Sequence, residues 1–255
     1  MSRSWGGGTS PGAGRSEGPE PPRPIIFVHI PKTAGTAFSY YLKRNCDAPE
    51  KAMKTFFGDY SIYDGVRDVP LILGHVYFRE MAVRFPAASF VTWLRHPLDR
   101  VVSQYKSWHD PKKLDRRWIE NTPDRAALAH IEFTQRATFE EFALSEVPAV
   151  LNNITNVQTR MLSSYDARGG PLPLPGRLLE RLLPRPWRSK RQASRLLASA
   201  KENLERRFTF FGTVERFGES IELFRRTFGW TAEFEGHDAA ANRSAPLDGE
   251  ITDRA

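Results

Sequence analysis

Four short apolar runs constrain the fold more than any other feature of this sequence. They are residues 24–30 (PIIFVHI), 70–74 (PLILG), 89–94 (SFVTWL) and 208–212 (FTFFG). Each run is rich in β-branched or aromatic side chains and is bounded by proline, glycine or charge, which is typical of a β-strand. Because the apolar residues are continuous rather than alternating, they indicate strands that are buried on both faces, as in a parallel sheet.

The segments that follow three of these runs carry apolar residues at helical spacing. After the first, third and fourth runs, one helical face would carry, in turn, Phe38, Tyr41 and Leu42; Leu98, Val101, Val102 and Tyr105; and Ile221, Phe224, Arg225 and Phe228. Side chains three and four residues apart lie on one side of a helix. Strands that alternate with helices predict an α/β fold in which helices flank a central, mainly parallel sheet.

Length and composition predict one folded domain, residues 25–232, between two less structured ends. With 255 residues and 40% hydrophobic content, the chain can bury one sizeable core. Residues 1–24, rich in glycine, proline and serine, predict a disordered tail, and residues 233–255 predict a polar C-terminal loop. A Pro- and Arg-rich insertion at about residues 166–195 has five prolines within 171–190, and we expect a loop over one edge of the core.

Charge and cysteine content bear on the partners and the compartment. Lysine plus arginine is 37 against 30 for aspartate plus glutamate, a formal net charge of +7, which favours anionic partners. Cys46 is the single cysteine, so no disulfide within the chain argues for secretion. No stretch approaches the roughly 20 apolar residues of a membrane span, and no basic stretch leads into an apolar leader. These features predict a cytoplasmic protein without a membrane span.

The first run ends in a sequence suited to binding phosphate, residues 31–36 (PKTAGT), before a helix begins. Backbone N–H groups and the helix dipole would point at one spot there, and Gly35 allows close backbone approach. Thr33 and Thr36 add hydroxyl donors, and Lys32 adds a mobile positive charge. The pattern differs from the G-x-x-x-x-G-K-[ST] phosphate loop, because it has no earlier glycine and its lysine comes first. A simple surface turn is the alternative.

The third run ends at Arg95, after which Pro97 suits the first position of a helix. In that predicted helix, Arg100 and Ser103 lie opposite the apolar face. Arg95 and Ser103 could together hold one phosphate, since arginine binds phosphate through two parallel hydrogen bonds. The alternative is that Arg95 pairs with Asp99 while Ser103 faces water.

Together the two strand ends resemble the nucleotide motifs of a known family. Residues 28–36 (VHIPKTAGT) resemble the 5′-phosphosulfate loop, and residues 95–105 (RHPLDRVVSQY) the 3′-phosphate motif, of sulfotransferases that use 3′-phosphoadenosine 5′-phosphosulfate (PAPS). The chain is most similar to carbohydrate sulfotransferases related to heparan sulfate 2-O-sulfotransferase. The resemblance covers residues 24–230 in outline, with further matches at 74–76 (GHV), 156–159 (NVQT) and 210–217 (FFGTVERF). It implies a P-loop-like three-layer fold.

The resemblance implies in-line transfer of a sulfuryl group from PAPS to an acceptor hydroxyl, on a carbohydrate or another molecule, with no metal and no nucleic acid as partner. Lys32 would sit at the oxygen that bridges sulfur and the 5′-phosphate, where it neutralises charge on the departing nucleotide PAP. Arg95 and Ser103 would hold the 3′-phosphate. The 5′-phosphate would lie against the backbone of Thr33, Ala34, Gly35 and Thr36.

His75, just after the second run, is the predicted general base, since similar enzymes place a histidine in the matching Gly-His element. With an ordinary pKa of about 6.5, a histidine is largely neutral near pH 7 and can accept a proton. Some of those enzymes carry a second histidine two residues earlier, where this chain has Leu73. The alternative is a structural histidine at the strand end, which is the role that we expect for His29.

Three further segments are predicted to contribute to the site. By the same resemblance, a cleft would be lined by Asn156, Gln158, Thr159 and Arg160, with the polar face of a surface helix as the alternative, and residues 242–244 (NRS) would close over the nucleotide. Between residues 177 and 195, Glu180 is outnumbered by Arg177, Arg181, Arg185, Arg188, Lys190, Arg191 and Arg195. We hypothesise that the acceptor is anionic, such as a uronic-acid polysaccharide; a solubilising loop without a partner is the alternative.

Two other functions fit parts of the sequence. Nucleotide kinases share a strand–loop–helix phosphate site, but this chain lacks their glycine-rich loop and an obvious carboxylate at a strand end to hold magnesium. A non-enzymatic polyanion-binding module would use the basic region 177–195. Magnesium-dependent ATP turnover would favour the first, and polyanion binding without affinity for PAP would favour the second.

Overall fold

The computed structural model describes residues 23–55, 60–110, 128–165 and 185–234 of the chain. Nearly all of the predicted N-terminal tail, the larger part of the predicted insertion, and residues 235–255 with the 242–244 segment lie outside these described ranges. The greater part of the predicted domain is therefore described.

Within the described residues, five parallel strands form one sheet in the order β2-β3-β1-β4-β5. The strands are β1 (Ile25–Val28), β2 (Met53–Thr55), β3 (Leu71–Gly74), β4 (Ser89–Leu94) and β5 (Phe208–Thr213). All four predicted runs form strands and every pairing is parallel, which confirms the predicted α/β class. Sequence analysis missed β2, because it is a short edge strand with an exposed lysine, Lys54, at its centre.

Helices lie between successive strands along the chain, and one more helix follows the last strand. Those within the described ranges are α1 (Gly35–Arg44), α2 (Phe78–Arg84), α3 (Pro97–His109), α4 (Ala129–Arg136), α5 (Phe139–Ala143), α6 (Pro148–Ile154), α7 (Val157–Leu162), α8 (Arg185–Arg206) and α9 (Phe217–Phe228). Two 3₁₀ turns, Pro49–Lys51 and Tyr60–Tyr63, flank β2. In the described part of the chain, no helix is both long enough and apolar enough to cross a membrane.

One apolar cluster packs on each face of the sheet, and a third lies among the helices α3, α5 and α6, around Tyr105, Phe142 and Val150. Ile26 and Val28 of β1 enter the first cluster, which packs the sheet against α2, α7 and α8. Phe27 enters the second, which packs the sheet against α1 and α9. Of the residues predicted on the apolar faces of those two helices, the second cluster contains Phe38, Tyr41, Leu42, Ile221 and Phe224; Phe228 is partly buried against it, and Arg225 instead pairs with Glu222. Helices therefore cover both faces, and the predicted three-layer arrangement is confirmed.

The predicted apolar face of α3 is wrong in two places. Leu98 is 70% exposed, whereas Arg100, which we expected opposite the apolar face, is only 2% exposed. Tyr105 is buried as expected, with Gln104 beside it. The physical reason is the partner of the helix, since α3 packs against α4, α5 and α6 rather than lying on the sheet. The buried face of α3 can therefore include Arg100, because its guanidinium donates hydrogen bonds to backbone carbonyls.

The predicted loop at residues 166–195 is wrong at its C-terminal end, because residues 185–195 form the first half of the helix α8. Pro186 is the second residue of α8, and proline is tolerated in the first turn, where a backbone N–H has no partner within the helix. Further along, Leu196, Ser199, Ala200 and Asn203 are buried at helical spacing. The high proline content was therefore a poor guide to where this helix begins.

Candidate active site

The predicted site residues follow the carboxyl ends of three neighbouring strands. β1 lies between β3 and β4, and the chain returns to the sheet on opposite sides of β1. Ligands of open parallel sheets bind beyond the carboxyl ends of the strands at such a switch point. The backbone N–H of His29 donates to the carbonyl oxygen of Gly74 at 2.9 Å, so the segments after β1 and β3 leave the sheet side by side.

In the loop after β1, two residues other than glycine have a backbone in the left-handed region. Lys32 has a φ of 69° and Ala34 a φ of 59°, a conformation that is uncommon for residues other than glycine. Thr33 between them is fully buried, and its hydroxyl donates to the carbonyl oxygen of Ile30 at 2.8 Å. The Thr33 hydroxyl, predicted as a ligand donor, is therefore occupied within the loop; that of Thr36 is exposed.

Gly35, at the start of α1, is required by a contact that the sequence did not indicate. A Cβ atom at this position would lie 2.0 Å from Cδ2 and 2.1 Å from Nε2 of His29, and would clash with the imidazole ring. The His29 ring in turn stacks on Phe27, with 5.2 Å between ring centroids and 10° between planes. His29 therefore forms a floor beneath the loop, and any side chain at position 35 must displace it.

His75 lies against His29 and has its tautomer fixed by the contact. Its Nδ1 is 2.6 Å from the carbonyl oxygen of His29, and the two ring centroids are 4.4 Å apart. Since a carbonyl can only accept, Nδ1 carries the hydrogen, and in the neutral ring the lone pair lies on Nε2. Burial lowers the pKa of His75, and the nearby charge of Lys54 lowers it further, against the raising effect of the hydrogen bond to His29. The imidazole is therefore neutral at pH 7.

His29 is held in the neutral form even more strongly. Burial lowers its pKa well below the ordinary value; a proton on His75 would lower that pKa further, and the charges of Lys54 and Lys32 act in the same direction. The two histidines are therefore a neutral pair in ring contact, with 36° between their planes, where the loops after β1 and β3 meet.

Arg95 connects the two predicted nucleotide motifs. Its Nη1 donates to the carbonyl oxygen of Lys32 at 3.4 Å. Its backbone is held at both ends by Gln158, whose Oε1 accepts from the Arg95 N–H at 3.0 Å and whose Nε2 donates to the Arg95 carbonyl at 2.8 Å. Asp99, the alternative partner considered above, lies 4.0 Å from Nδ1 of His96 instead. Ser103 is half-buried on α3.

The four predicted acceptor residues divide into two groups. Gln158 braces Arg95, and Thr159 is half-buried with its carbonyl accepting from the Ser163 N–H. Asn156 and Arg160 line a groove of about 390 Å³ between α6, α7 and α8. The other lining residues are Leu151, Asn152, Thr155, Gln192, Ala193 and Leu196, so the groove carries amides, a hydroxyl and a guanidinium but no carboxylate.

Two charged residues near the site were missed. Lys54 ends up at the same edge of the sheet as the histidines because it lies on β2, and its charge lowers the pKa of both. Arg100 is a buried cation, and the nearby charge of Arg95 contributes to the lowering of its pKa. The only sequence signals were a lysine in a three-residue strand and an arginine within a mixed helical pattern. Among the described residues, no cluster of three or more His, Cys, Asp or Glu could hold a metal ion.

The fold defines an α/β protein with a switch point in its parallel sheet, which is where ligands of such sheets bind. No protein-family model matches the chain. Among curated proteins, the chain is 26% identical, over an alignment of 271 residues, to heparan-sulfate 6-O-sulfotransferase 2 of Gallus gallus, covering 90% of this chain and 62% of the relative. The chain thus spans less than two thirds of the length of that relative.

The mouse sulfotransferase SULT7A1, solved in complex with PAP, matches 87% of this chain and 63% of its own, with a TM-score of 0.43 and 15% identity. The curated relative confirms the resemblance to sulfotransferases at the level of the broad group. That relative is a 6-O-sulfotransferase, whereas the motifs most resemble those of 2-O-sulfotransferases. The similarity therefore does not decide which hydroxyl is the acceptor. The cytoplasmic location stays a prediction.

Proposed function

We propose that this protein is a sulfotransferase that transfers the sulfuryl group of PAPS to a hydroxyl of a carbohydrate. The observation that carries the proposal is the meeting of the predicted base and the predicted phosphosulfate loop. His75 hydrogen-bonds to the His29 carbonyl, and the His29 ring lies directly beneath Gly35. The similarity to heparan-sulfate 6-O-sulfotransferase 2 supports both the reaction and the carbohydrate acceptor.

In the proposed reaction, the acceptor oxygen attacks sulfur as the bond between sulfur and the 5′-phosphate oxygen breaks. The hydroxyl proton passes to Nε2 of His75, which carries the lone pair in the neutral tautomer. Lys32 offsets the negative charge that develops on the departing PAP. The backbone of Thr33, Ala34, Gly35 and Thr36 receives the 5′-phosphate, and Arg95 with Ser103 receives the 3′-phosphate.

Transfer of labelled sulfate from PAPS, screened over glycans, glycolipids and small alcohols, tests the proposal directly. Label in at least one hydroxyl acceptor, together with PAP as the second product, is the expected result. Magnesium-dependent ATP turnover without sulfate transfer would favour a phosphoryl transferase instead. Binding to polyanions without affinity for PAP would favour a binding module.

The pH profile follows from the environment of His75. Because burial and Lys54 lower the pKa of His75, the neutral base persists at lower pH than for an ordinary histidine. We therefore expect the acidic limb of kcat/KM to have its midpoint below about 6.5, with activity lost as pH falls through it. Lys54→Gln should move that midpoint upward, since it removes a neighbouring positive charge, whereas Lys201→Gln on α8 should not. A wild-type midpoint at or above the ordinary value would contradict the assignment.

The acceptor is proposed to be anionic, and α8 supplies the charge. Lys190 and Arg191 are exposed on α8 next to Gln192, which lines the groove. A one-sign cluster at the rim of a cleft raises the local concentration of an oppositely charged ligand, and salt screens it. Glu202 and Arg206 form an exposed ion pair at the far end of the same helix, so Arg206 provides a matched control.

Replacing Lys190 and Arg191 together with Gln should raise the acceptor KM by about threefold or more and flatten its dependence on ionic strength. The PAPS KM should change little, and Arg206→Gln should change neither. Initial rates at several salt concentrations measure the effect. A neutral best acceptor, or an unaltered salt dependence in the double variant, would rule the idea out.

A further inference from the structure

Arg100 is a buried cation whose side chain contacts neutral groups. It lies in the second turn of α3 and is 2% exposed. Its Nη2 donates to the carbonyl oxygen of Asn153 at 2.6 Å and to that of Ile154 at 3.4 Å, both at the end of α6. Among the described residues, its Nη1 is buried with no hydrogen-bond partner. Burying a guanidinium without a counter-ion is unfavourable, so this arrangement needs a reason.

The residues around Arg100 add positive charge rather than negative charge. Burial is the main cause that lowers the pKa of Arg100 to about 10, and the charges of Arg160 and Arg95 lower it further. Arg160 also donates to the end of α6, at the carbonyl of Asn152. Arg95 and Arg160 therefore both lie within electrostatic range of Arg100.

Arginines elsewhere in the described chain are paired differently. Ion pairs to Asp or Glu are made by Arg79, Arg84, Arg206, Arg216, Arg225 and Arg226. Among the described residues, no such ion pair involves Arg95, Arg100 or Arg160. Within the described ranges, carboxylates thus neutralise these six arginines but none forms an ion pair with Arg95, Arg100 or Arg160. A site built in this way is suited to an anion with more than one charge.

The hydrogen bonds of Arg100 to the end of α6 do not by themselves explain why Arg100 is buried near two other arginines. The carbonyls of Asn153 and Ile154 could be satisfied by a neutral amide, without burying a charge. Arg100 is instead one helical turn before Ser103 on α3, and in range of Arg95, the two predicted ligands of the 3′-phosphate. The α6–α7 corner that it holds carries Gln158, which fixes the Arg95 backbone.

We propose that Arg100 is a positioning residue for the donor, whose buried charge strengthens binding of the 3′-phosphate and so selects PAP and PAPS over nucleotides that lack it. The inference rests on the proposed function. A 3′-phosphate carries close to two negative charges, and Arg95 alone offsets one of them. Arg100 adds positive electrostatic potential at this site, and because it is buried, solvent and salt screen its charge only weakly.

Calorimetric titration with adenosine 3′,5′-bisphosphate (PAP) and adenosine 5′-monophosphate tests this inference. The preference for PAP over the monophosphate should fall by about tenfold in Arg100→Gln, which keeps an amide donor for the carbonyls but loses the charge. Arg100→Lys keeps the charge and should retain most of the preference. Arg225→Gln, which removes a half-buried arginine paired with Glu222 on α9, should leave the preference unchanged.

The outcomes distinguish this inference from the proposed function. A wild-type protein with no preference for PAP overturns both. A wild-type preference that survives in Arg100→Gln, or an equal loss of affinity for both nucleotides, overturns the role of Arg100 alone and leaves it a structural brace. If Arg100→Gln does not fold, Arg100→Lys decides, because a brace that needs the guanidinium fork would lose both affinities together.

Discussion

His75→Ala is expected to lower kcat by about 10²–10⁴ while leaving the affinity for PAP nearly unchanged. The reason is the geometry of the imidazole. Its Nδ1–H is committed to the His29 carbonyl at 2.6 Å, so the lone pair lies on the opposite nitrogen. In the proposed reaction this base contacts the acceptor hydroxyl and not the nucleotide, so its loss should slow the chemical step and leave nucleotide binding intact.

His109→Ala is the matched control for this prediction. Its Nδ1 makes the same kind of contact, 3.0 Å from the carbonyl of Thr134, but at the end of α3 away from the strand ends. Single-turnover rates and calorimetric titration with PAP, on both variants, separate catalysis from folding. A fall in PAP affinity that parallels the fall in rate would make His75 a structural or nucleotide-binding residue. Loss of rate in His109→Ala of similar size would remove the distinction altogether.

The sheet could be predicted largely because β1, β3 and β4 are buried on both faces and therefore have continuous apolar sequences; β5, at an edge of the sheet, is buried only at alternate residues although its sequence is also apolar. The same reasoning could not find β2, since Met53–Thr55 is short and its central lysine faces solvent. The face of α3 was predicted wrongly because the helix packs on other helices, and there a buried arginine is held by backbone carbonyls. Hydrophobic periodicity does not anticipate such a residue.

The site was predictable in its parts but not in its connections. Gly35 was expected to permit close approach of a phosphate, whereas within the structure it makes room for the ring of His29. His29 and His75 are 46 residues apart and meet because Val28 pairs with Gly74 across β1 and β3. That register is a property of the sheet and cannot be derived from local sequence. Gln158, expected at a cleft, similarly proves to fix Arg95 from a distant helix.

These contacts hold in place the loop on which the proposed mechanism depends. The loop after β1 is anchored by Thr33 within itself, by Arg95 at the carbonyl of Lys32, and by the His29 ring below Gly35. Preorganised charges contribute most to catalysis when they do not have to move during the reaction. Lys32 is the charged side chain that this anchored loop presents, and the second large effect is expected there.

Lys32→Ala is expected to lower kcat by about 10²–10³, because the charge that develops on the departing PAP is left uncompensated. The fold should tolerate the change well. Lys32 has a φ of 69°, and alanine has the same Cβ atom, so the backbone strain of the left-handed region is the same in both. The unfolding temperature of the variant should therefore stay close to that of the wild type, which separates a catalytic loss from a folding defect.

Two further substitutions at this position sharpen the result. Lys32→Gly removes the charge and also relieves the strain, so it should unfold at or above the wild-type temperature yet be as inactive as the alanine variant. Lys32→Arg keeps a positive charge and should recover part of the rate. Lys201→Ala, an exposed lysine on α8, should change nothing. Folded Lys32→Ala and Lys32→Gly proteins with near-normal sulfate transfer would show that leaving-group charge is stabilised elsewhere, and the assignment of this loop to the phosphosulfate would have to be withdrawn.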